Sequence, residues 1–169
     1  MGSEKKKIIH LIRHGEGFHN TSGDYSIHDP LLTDKGKQQC EQTRKDFNRH
    51  DDLQLVCSSP LRRTIQTTLI TMRPYVHDSD GKPKNKILLL PRAQEASEMP
   101  TNTGSSEEEI KKQFGEEQFD FTFCDHYTNM NSKEGIFAPD HESLSKRGKE
   151  IRTLLREREE TEIVVVLHG

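Results

Sequence analysis

Two short apolar runs, each leading into a histidine-glycine pair, constrain the fold of this chain more than any other feature. Residues 8–12 lead into Arg13 and His14, and residues 163–167 lead into His168. The second run is apolar at every position, which is typical of a strand buried on both faces of a parallel sheet. Because ligands bind beyond the carboxyl ends of such strands, the two histidines are predicted to share one site.

The rest of the chain alternates between strand-like runs and segments with helical spacing. Strands are expected at residues 7–13, 53–57, 87–90 and 163–167, and helices at residues 35–49, at 61–72, from about 106 to 114 and from Ser143 onward. Pro60 is expected in the first turn of the second helix. This alternation predicts an α/β fold, a three-layer sandwich with a mainly parallel central sheet.

A single domain is expected across residues 1–169, because this length suits one core and the chain has no internal repeat or convincing linker. Residues 92–142 are the least regular part and are expected to form a polar insertion or lid. Within it, Ser105 or Ser106 is expected to begin a helix. A group of aromatic residues is expected to pack there as a lid or side lobe: Phe119, Phe121, Phe123 and Tyr127.

Composition and charge exclude several classes of partner. The 25 basic and 28 acidic residues give a net charge of −3, unlike the one-sided basic surface of a nucleic-acid binder. No apolar stretch approaches the ~20 residues that a membrane span needs. The three cysteines, Cys40, Cys57 and Cys124, form no Cys-x-x-Cys pair and are expected to be reduced thiols. We expect a cytoplasmic protein, with the nucleus as a second location, and the sequence does not indicate its oligomeric state.

The residues at the predicted strand ends suit phosphoryl transfer, which needs positive groups around the phosphate oxygens and an in-line nucleophile. Arg13 and Arg63 can supply forked, permanently charged donors. His14 can attack phosphorus as a neutral imidazole and form a phosphohistidine. His168 would donate a hydrogen bond to the charge that develops on phosphorus. We therefore expect a small phosphorylated substrate.

The leaving oxygen also needs a proton, and Glu95, just past the third strand, is the preferred donor. Glu98 in the same loop is the alternative. A carboxyl group beside bound phosphate is favoured in its protonated form, which suits it to protonate the leaving group and then to activate water. No metal ion or other cofactor is expected, because no cluster of Asp, Glu and His residues has convincing ligand spacing. The nearest such group, Asp140-His141-Glu142, looks more like a loop that leads into a helix.

Taken together, the motifs resemble those of the histidine phosphatase superfamily, the phosphoglycerate mutase-like family. The resemblance covers nearly the whole chain through four separated motifs: Arg13-His14-Gly15-Glu16 with Asn20; Leu32-Thr33 with Gly36 and Gln39; Ser59-Pro60-Leu61-Arg62-Arg63-Thr64 with Gln66 and Thr67; and His168-Gly169. Four motifs in the family's order are far more specific than a single Arg-His-Gly.

The resemblance implies roles for individual residues. Asn20 falls where the family contacts phosphate, although it is equally consistent with a turn. The register makes Arg63 the phosphate arginine and Arg62 its variable neighbour. Arg13 and Gly15 complete the expected substrate-binding set. Two further histidines lie close enough to the first motif to touch substrate: His19 and His28.

The same resemblance favours a metal-independent phosphatase over a mutase, because the extended motif that phosphoglycerate mutases carry after the third strand is absent. The segment reads Glu95-Ala96-Ser97-Glu98-Met99-Pro100 instead. The family continues beyond the second histidine motif, so the resemblance also implies that its C-terminal elements are missing here. Two other functions stay open: a non-catalytic interaction module that retains the fold, and a phosphoglycerate-type mutase.

Overall fold

A five-stranded, wholly parallel sheet organises the computed structural model, which describes residues 6–125 and 129–169. In chain order the strands are β1 (Ile8–Arg13), β2 (Leu55–Ser58), β3 (Ile87–Leu89), β4 (Phe119–Asp120) and β5 (Glu162–Leu167). Their order across the sheet is β1-β5-β2-β3-β4. The predicted mainly parallel sheet is therefore confirmed, and the last strand lies in its interior between β1 and β2.

Helices connect the strands: α1 (Phe18–Ser22), α2 (Asp34–Asp46), α3 (Arg62–Thr71), α4 (Arg73–Val76), α5 (Glu107–Phe114), α6 (Thr122–Asp125) and α7 (His141–Glu157). Side-chain caps explain where three of them begin. Thr33 accepts the Gly36 N–H at the start of α2, and Ser106 forms a capping box with Glu109 at the start of α5. Asp140 caps α7, so this helix begins two residues earlier than predicted. No helix within the described ranges is long and apolar enough to cross a membrane.

The core has two apolar layers, one on each face of the sheet, because side chains alternate along β5. Val164 and Val166 pack on the side of Ile65 from α3, whereas Ile163 and Val165 pack on the side of Leu155 from α7. All four β5 residues are buried. Helices thus cover both faces, which is the predicted three-layer arrangement.

Two local predictions were wrong. Pro60 precedes the N-cap residue Leu61 and therefore lies outside the first turn of α3. Phe119 does not belong to a side lobe: it forms β4, pairs with Ile87 of β3 and is buried in the main core. A two-residue strand is too short to show any periodicity, so the sequence could not reveal it. Tyr127, from the same predicted aromatic group, lies outside the described residues.

We predict that Gly36 is required for the close approach of α2 to the loop after β1. A Cβ atom at position 36 would lie 2.1 Å from the backbone oxygen of Glu16. Gly36→Ala should therefore lower the free energy of unfolding by about 3 kcal/mol, measured by urea denaturation. Gly148→Ala is the matched control, because its Cβ would meet only the mobile end of Arg152 at 3.3 Å and should stabilise α7 by up to about 1 kcal/mol. Equal midpoints for the two variants would contradict the prediction.

Candidate active site

The sheet register brings the two predicted histidines side by side. Arg13 pairs with Leu167, so the residues that follow them, His14 and His168, leave neighbouring strand ends. The His14 N–H donates to the Leu167 carbonyl at 3.0 Å, which continues the ladder beyond β1. The centroids of the two imidazole rings are 5.1 Å apart. The parallel sheet therefore assembles this pair from residues more than 150 positions apart in sequence.

Hydrogen bonding defines the tautomer of His14. Its Nδ1 lies 2.7 Å from the carbonyl oxygen of Gly15, and its Nε2 lies 3.3 Å from Nε of Arg63. A carbonyl can only accept and an arginine can only donate, so these contacts assign the proton to Nδ1 and a lone pair to Nε2. Burial lowers the pKa of His14 to about 4; Gly15 opposes this effect, and nearby Arg63 and Arg13 add to it. The ring is thus neutral at physiological pH.

Arg63 lies at the centre of the site with its side chain fully buried. Its Nη1 donates to the carbonyl of Thr101 at 2.7 Å, and its Nη2 donates to Oδ1 of Asn102 at 3.0 Å. The same Nη2 lies 3.3 Å from Nδ1 of His168. One side of the guanidinium group is thereby held by residues 101–102, and the edge formed by Nε and Nη2 faces the two histidines.

Contacts at both ring nitrogens orient the side chain of His168. Nδ1 faces Nη2 of Arg63, and Nε2 lies 3.0 Å from Oγ of the buried Ser59. If Nδ1 accepts from the arginine, the Nε2–H donates to Ser59. Burial holds the pKa of His168 well below its usual value, and Arg63 and His14 add to this effect. His168 is therefore also a neutral imidazole in this arrangement.

Of the two candidate acids, Glu95 is the one that reaches this group. Its Oε2 lies 3.6 Å from Nδ1 of His168 and 3.8 Å from Nη2 of Arg63, whereas Glu98 is exposed. Two buried cations hold the backbone of this loop: Lys133 Nζ donates to the Glu95 carbonyl at 2.9 Å, and Arg147 Nη1 donates to the Gln94 carbonyl at 3.2 Å. Burial lowers the pKa of Lys133 to about 8, and neighbouring Arg147 adds to this effect.

Arg13 and Asn20 line a cleft of about 360 Å³ beside His14, together with Gly15, Glu16 and Gln39. Arg13 is exposed, so its guanidinium group is available to an incoming anion. The Asn20 Oδ1 accepts the Gly17 N–H at 2.9 Å and caps α1. Asn20 therefore has the turn role that its residue type suggested and also borders the cleft.

The contacts of Gly15 and Arg62 give these residues a structural role. The Gly15 N–H donates to Oγ1 of Thr67 at 3.0 Å, and a Cβ at this position would lie 2.7 Å from the Gly36 oxygen. Arg62 donates from Nε to the Asp29 carbonyl at 2.8 Å and from Nη2 to the His28 carbonyl at 3.2 Å. Both residues stay predicted members of the substrate-binding set, and Gly15 also lines the cleft beside His14.

The buried residues that position the loops around the site were not identified from the sequence. Asp29 is fully buried with a φ of 39°, and its carboxylate accepts the backbone N–H groups of Arg62 at 2.9 Å and Ser105 at 2.8 Å. It thereby ties the loop at 17–30 to α3 and to the segment around Thr101. An aspartate before a proline gives only a turn signal, and nothing in the sequence spacing indicates a partner 76 residues away. In the described residues, no group of three His, Cys, Asp or Glu side chains is placed to hold a metal ion.

Comparison with known proteins matches nearly the whole chain to one family. A family model described as the histidine phosphatase superfamily (branch 1) matches residues 9–169. A protein of Schizosaccharomyces pombe named as a probable phosphatase is 29% identical over 166 residues, covering 96% of this chain and 74% of its own length. Phosphoglycerate mutase-like protein 1 of Arabidopsis thaliana is 29% identical over 196 residues, with 96% and 68% covered.

Solved structures share the fold. The alpha-ribazole phosphatase from Shigella flexneri superposes with a TM-score of 0.56 at 22% identity, covering 95% of this chain and 73% of its own. A phosphoserine phosphatase mutant from Entamoeba histolytica, in complex with phosphoserine, gives a TM-score of 0.55 at 23% identity with the same coverage. At these identities the likeness shows the fold alone.

We predict that the neutral state of His14 makes stability depend on pH. The folded protein keeps His14 neutral down to about pH 4, whereas the unfolded chain takes up a proton below the ordinary pKa of 6.5. The unfolded state binds more protons between these values, so stability present above pH 6.5 is lost as the pH falls towards 4. At pH 5 the loss from this residue should be about 2 kcal/mol.

Urea denaturation of wild type and His14→Gln at pH 7 and pH 5 measures this contribution. The wild type should lose more free energy of unfolding than the variant between the two pH values. An equal loss would show that His14 has an ordinary pKa in the folded protein.

Proposed function

The chain belongs to the histidine phosphatase superfamily, and we propose that it hydrolyses phosphomonoesters through a phosphohistidine intermediate on His14, without a metal ion. The observation that carries this proposal is the state of the His14 ring. Its Nδ1–H is held by Gly15, which leaves the Nε2 lone pair directed at the buried cation Arg63. A neutral, oriented imidazole beside a fixed guanidinium group is what a nucleophile for a phosphate dianion requires.

In the proposed first step, phosphate oxygens replace the contact between His14 and Arg63. The Nε–Nη2 edge of Arg63 would bind two of these oxygens, and the exposed Arg13 would bind from the cleft. Nε2 of His14 attacks phosphorus in line, the bond from phosphorus to the ester oxygen breaks, and His168 donates a hydrogen bond to a phosphoryl oxygen. For His168 to donate in this way, its proton must be on Nδ1, the nitrogen that faces Arg63. Without phosphate, Arg63 favours the tautomer with the proton on Nε2, so phosphate binding would change the tautomer of His168.

Glu95 would act as the general acid in the first step and as the general base in the second. Its carboxyl gives a proton to the leaving oxygen, and the resulting carboxylate then takes a proton from the water that attacks phosphohistidine. The distances of 3.6 Å to His168 and 3.8 Å to Arg63 support this role, because they put the carboxyl beside the proposed phosphate position. Hydrolysis releases phosphate and restores neutral His14, so the cycle balances without another reactant.

We also propose that residues 1–169 act as one catalytic domain in which the segment 92–142 borders the site. Thr101 and Asn102 contact Arg63, and Lys133 holds the loop of Glu95. These contacts support a role for the insertion in shaping the pocket for a small phosphorylated substrate.

The first test is phosphate release from p-nitrophenyl phosphate in the presence of EDTA. His14→Ala should lose several orders of magnitude in kcat/KM, because no other group can form the covalent intermediate. His141→Ala, an exposed histidine at the start of α7, is the matched control and should retain wild-type activity. Activity that disappears in EDTA and returns with a divalent metal would contradict metal independence.

The same samples distinguish a phosphatase from the two alternatives. A mutase would interconvert phosphoglycerate isomers faster than it releases phosphate, and a non-catalytic module would do neither. Quenching the wild-type reaction should trap an acid-labile phosphoryl group on His14. A phosphoryl group found on another residue would exclude the proposed intermediate.

The second test separates the two candidate acids. Glu95→Gln should lower kcat on ethyl phosphate by about 10²–10⁴, because an alkoxide leaving group needs a proton. On p-nitrophenyl phosphate, whose leaving group needs little protonation, the variant should show a burst of nitrophenol followed by slow turnover, since water attack still lacks its base. Glu98→Gln is the control and should match wild type on both substrates. The reverse result would make Glu98 the acid.

A further inference from the structure

Large apolar side chains are exposed on both loops that border the proposed phosphate position. Phe18, at the start of α1, and Tyr25, in the loop after α1, are 51% and 50% exposed, and Met99, in the loop that carries Glu95, is 49% exposed. Single exposed apolar residues need no explanation, but exposed apolar side chains on segments that carry site residues can contact a ligand. The question is which part of a substrate they would meet.

A row of aromatic rings leads from the reaction centre to this apolar surface. The centroid of His14 lies 5.1 Å from that of His168 and 6.0 Å from that of His19. The centroid of His19 lies 6.3 Å from that of Tyr25. The ring of His19 therefore connects Tyr25 to the proposed nucleophile.

The backbone of Tyr25 is tied to the residues that hold Arg63. Its carbonyl accepts the N–H of Thr101 at 3.4 Å, and the carbonyl of Thr101 in turn accepts Nη1 of Arg63 at 2.7 Å. Further along the same loop, the N–H of Asp29 donates to the carbonyl of Pro100 at 3.3 Å. The aromatic ring is thus carried by a loop that is fixed relative to the phosphate-binding arginine.

The ring of His19, which lies between those of His14 and Tyr25, is buried and uncharged. It is 5% exposed and packs against Gly17, where a Cβ atom would lie 2.7 Å from the ring. Burial lowers the pKa of His19 to about 4, and Arg63 and Arg13 add to this effect. The ring is neutral at physiological pH, so it does not act as a further cation for phosphate.

We propose that His19 and Tyr25 form a subsite for the leaving group, and that the preferred substrates are phosphomonoesters of alcohols that carry an aromatic ring. This inference rests on the proposed phosphatase function and names its substrate class. The two arginines near these rings, Arg13 and Arg63, are already assigned to phosphate. The aromatic rings are therefore available to the organic group of the substrate. An aromatic ring gains both apolar burial and ring–ring contact there.

The test compares benzyl phosphate with ethyl phosphate, whose alcohols are similarly poor leaving groups, so that the comparison reports binding of the organic group. Wild type should prefer benzyl phosphate by about tenfold in kcat/KM. Tyr25→Leu should abolish most of this preference, because kcat/KM should fall more on benzyl phosphate than on ethyl phosphate. Tyr25→Phe keeps the ring and should keep the preference. Leu144→Ala, an exposed apolar residue on α7, is the control and should behave as wild type.

Binding of benzylphosphonate and ethylphosphonate, measured by calorimetry, separates this inference from the proposed function. Tighter binding of benzylphosphonate, lost in Tyr25→Leu, with no turnover of either phosphate ester would support the subsite and reject the phosphatase function. Turnover of both esters at equal kcat/KM, or a preference that survives in a folded Tyr25→Leu protein, would overturn the subsite and leave the phosphatase function intact.

Discussion

The burial of the Arg63 guanidinium group is the constraint on which the rest of this site depends. A cation with no solvent exposure is tolerated only where acceptors reach it, and here they come from the segment at 101–102, with the two histidines and Glu95 on the other side. Those groups belong to four separate parts of the chain. The buried Arg63 side chain contacts all of these groups. It therefore connects the ends of the strands to the insertion at 92–142.

The same buried charge explains why histidines rather than lysines suit the neighbouring positions. An imidazole can lose its proton at little cost, so burial near Arg63 leaves His14, His19 and His168 neutral. For His14, neutrality is also what nucleophilic attack requires. The buried arrangement therefore loses some stability at acidic pH and keeps these rings neutral at physiological pH.

The walls of the pocket depend on a second set of buried polar groups. Asp29 connects the loop at 17–30 with α3 and with Ser105, while Lys133 and Arg147 hold the carbonyls of Glu95 and Gln94. None of these contacts touches the proposed position of phosphorus. They determine instead how the loop at 17–30 and the loop of Glu95 are placed, and members of a shared fold can differ in specificity at such loops.

The sequence alone predicted four of the five strands, the start of α5 and the family, because each depends on residue patterns that can be read locally. The two-residue β4 and the Asp140 cap of α7 were found only in the structure. An uninterrupted apolar run such as 163–167 is typical of a buried parallel strand, and a serine followed by glutamate at the third position is a common signature of a helix start. Only the tertiary structure decided which polar residues meet. In the structure Glu95, rather than Glu98, lies near His168, and Arg62 donates to Asp29. Phe119 pairs within the sheet, and the ring of His19 lies between those of His14 and Tyr25. Contacts of this kind depend on chain segments far apart in sequence and on a few ångströms of packing, and neither is encoded in the local pattern of residues.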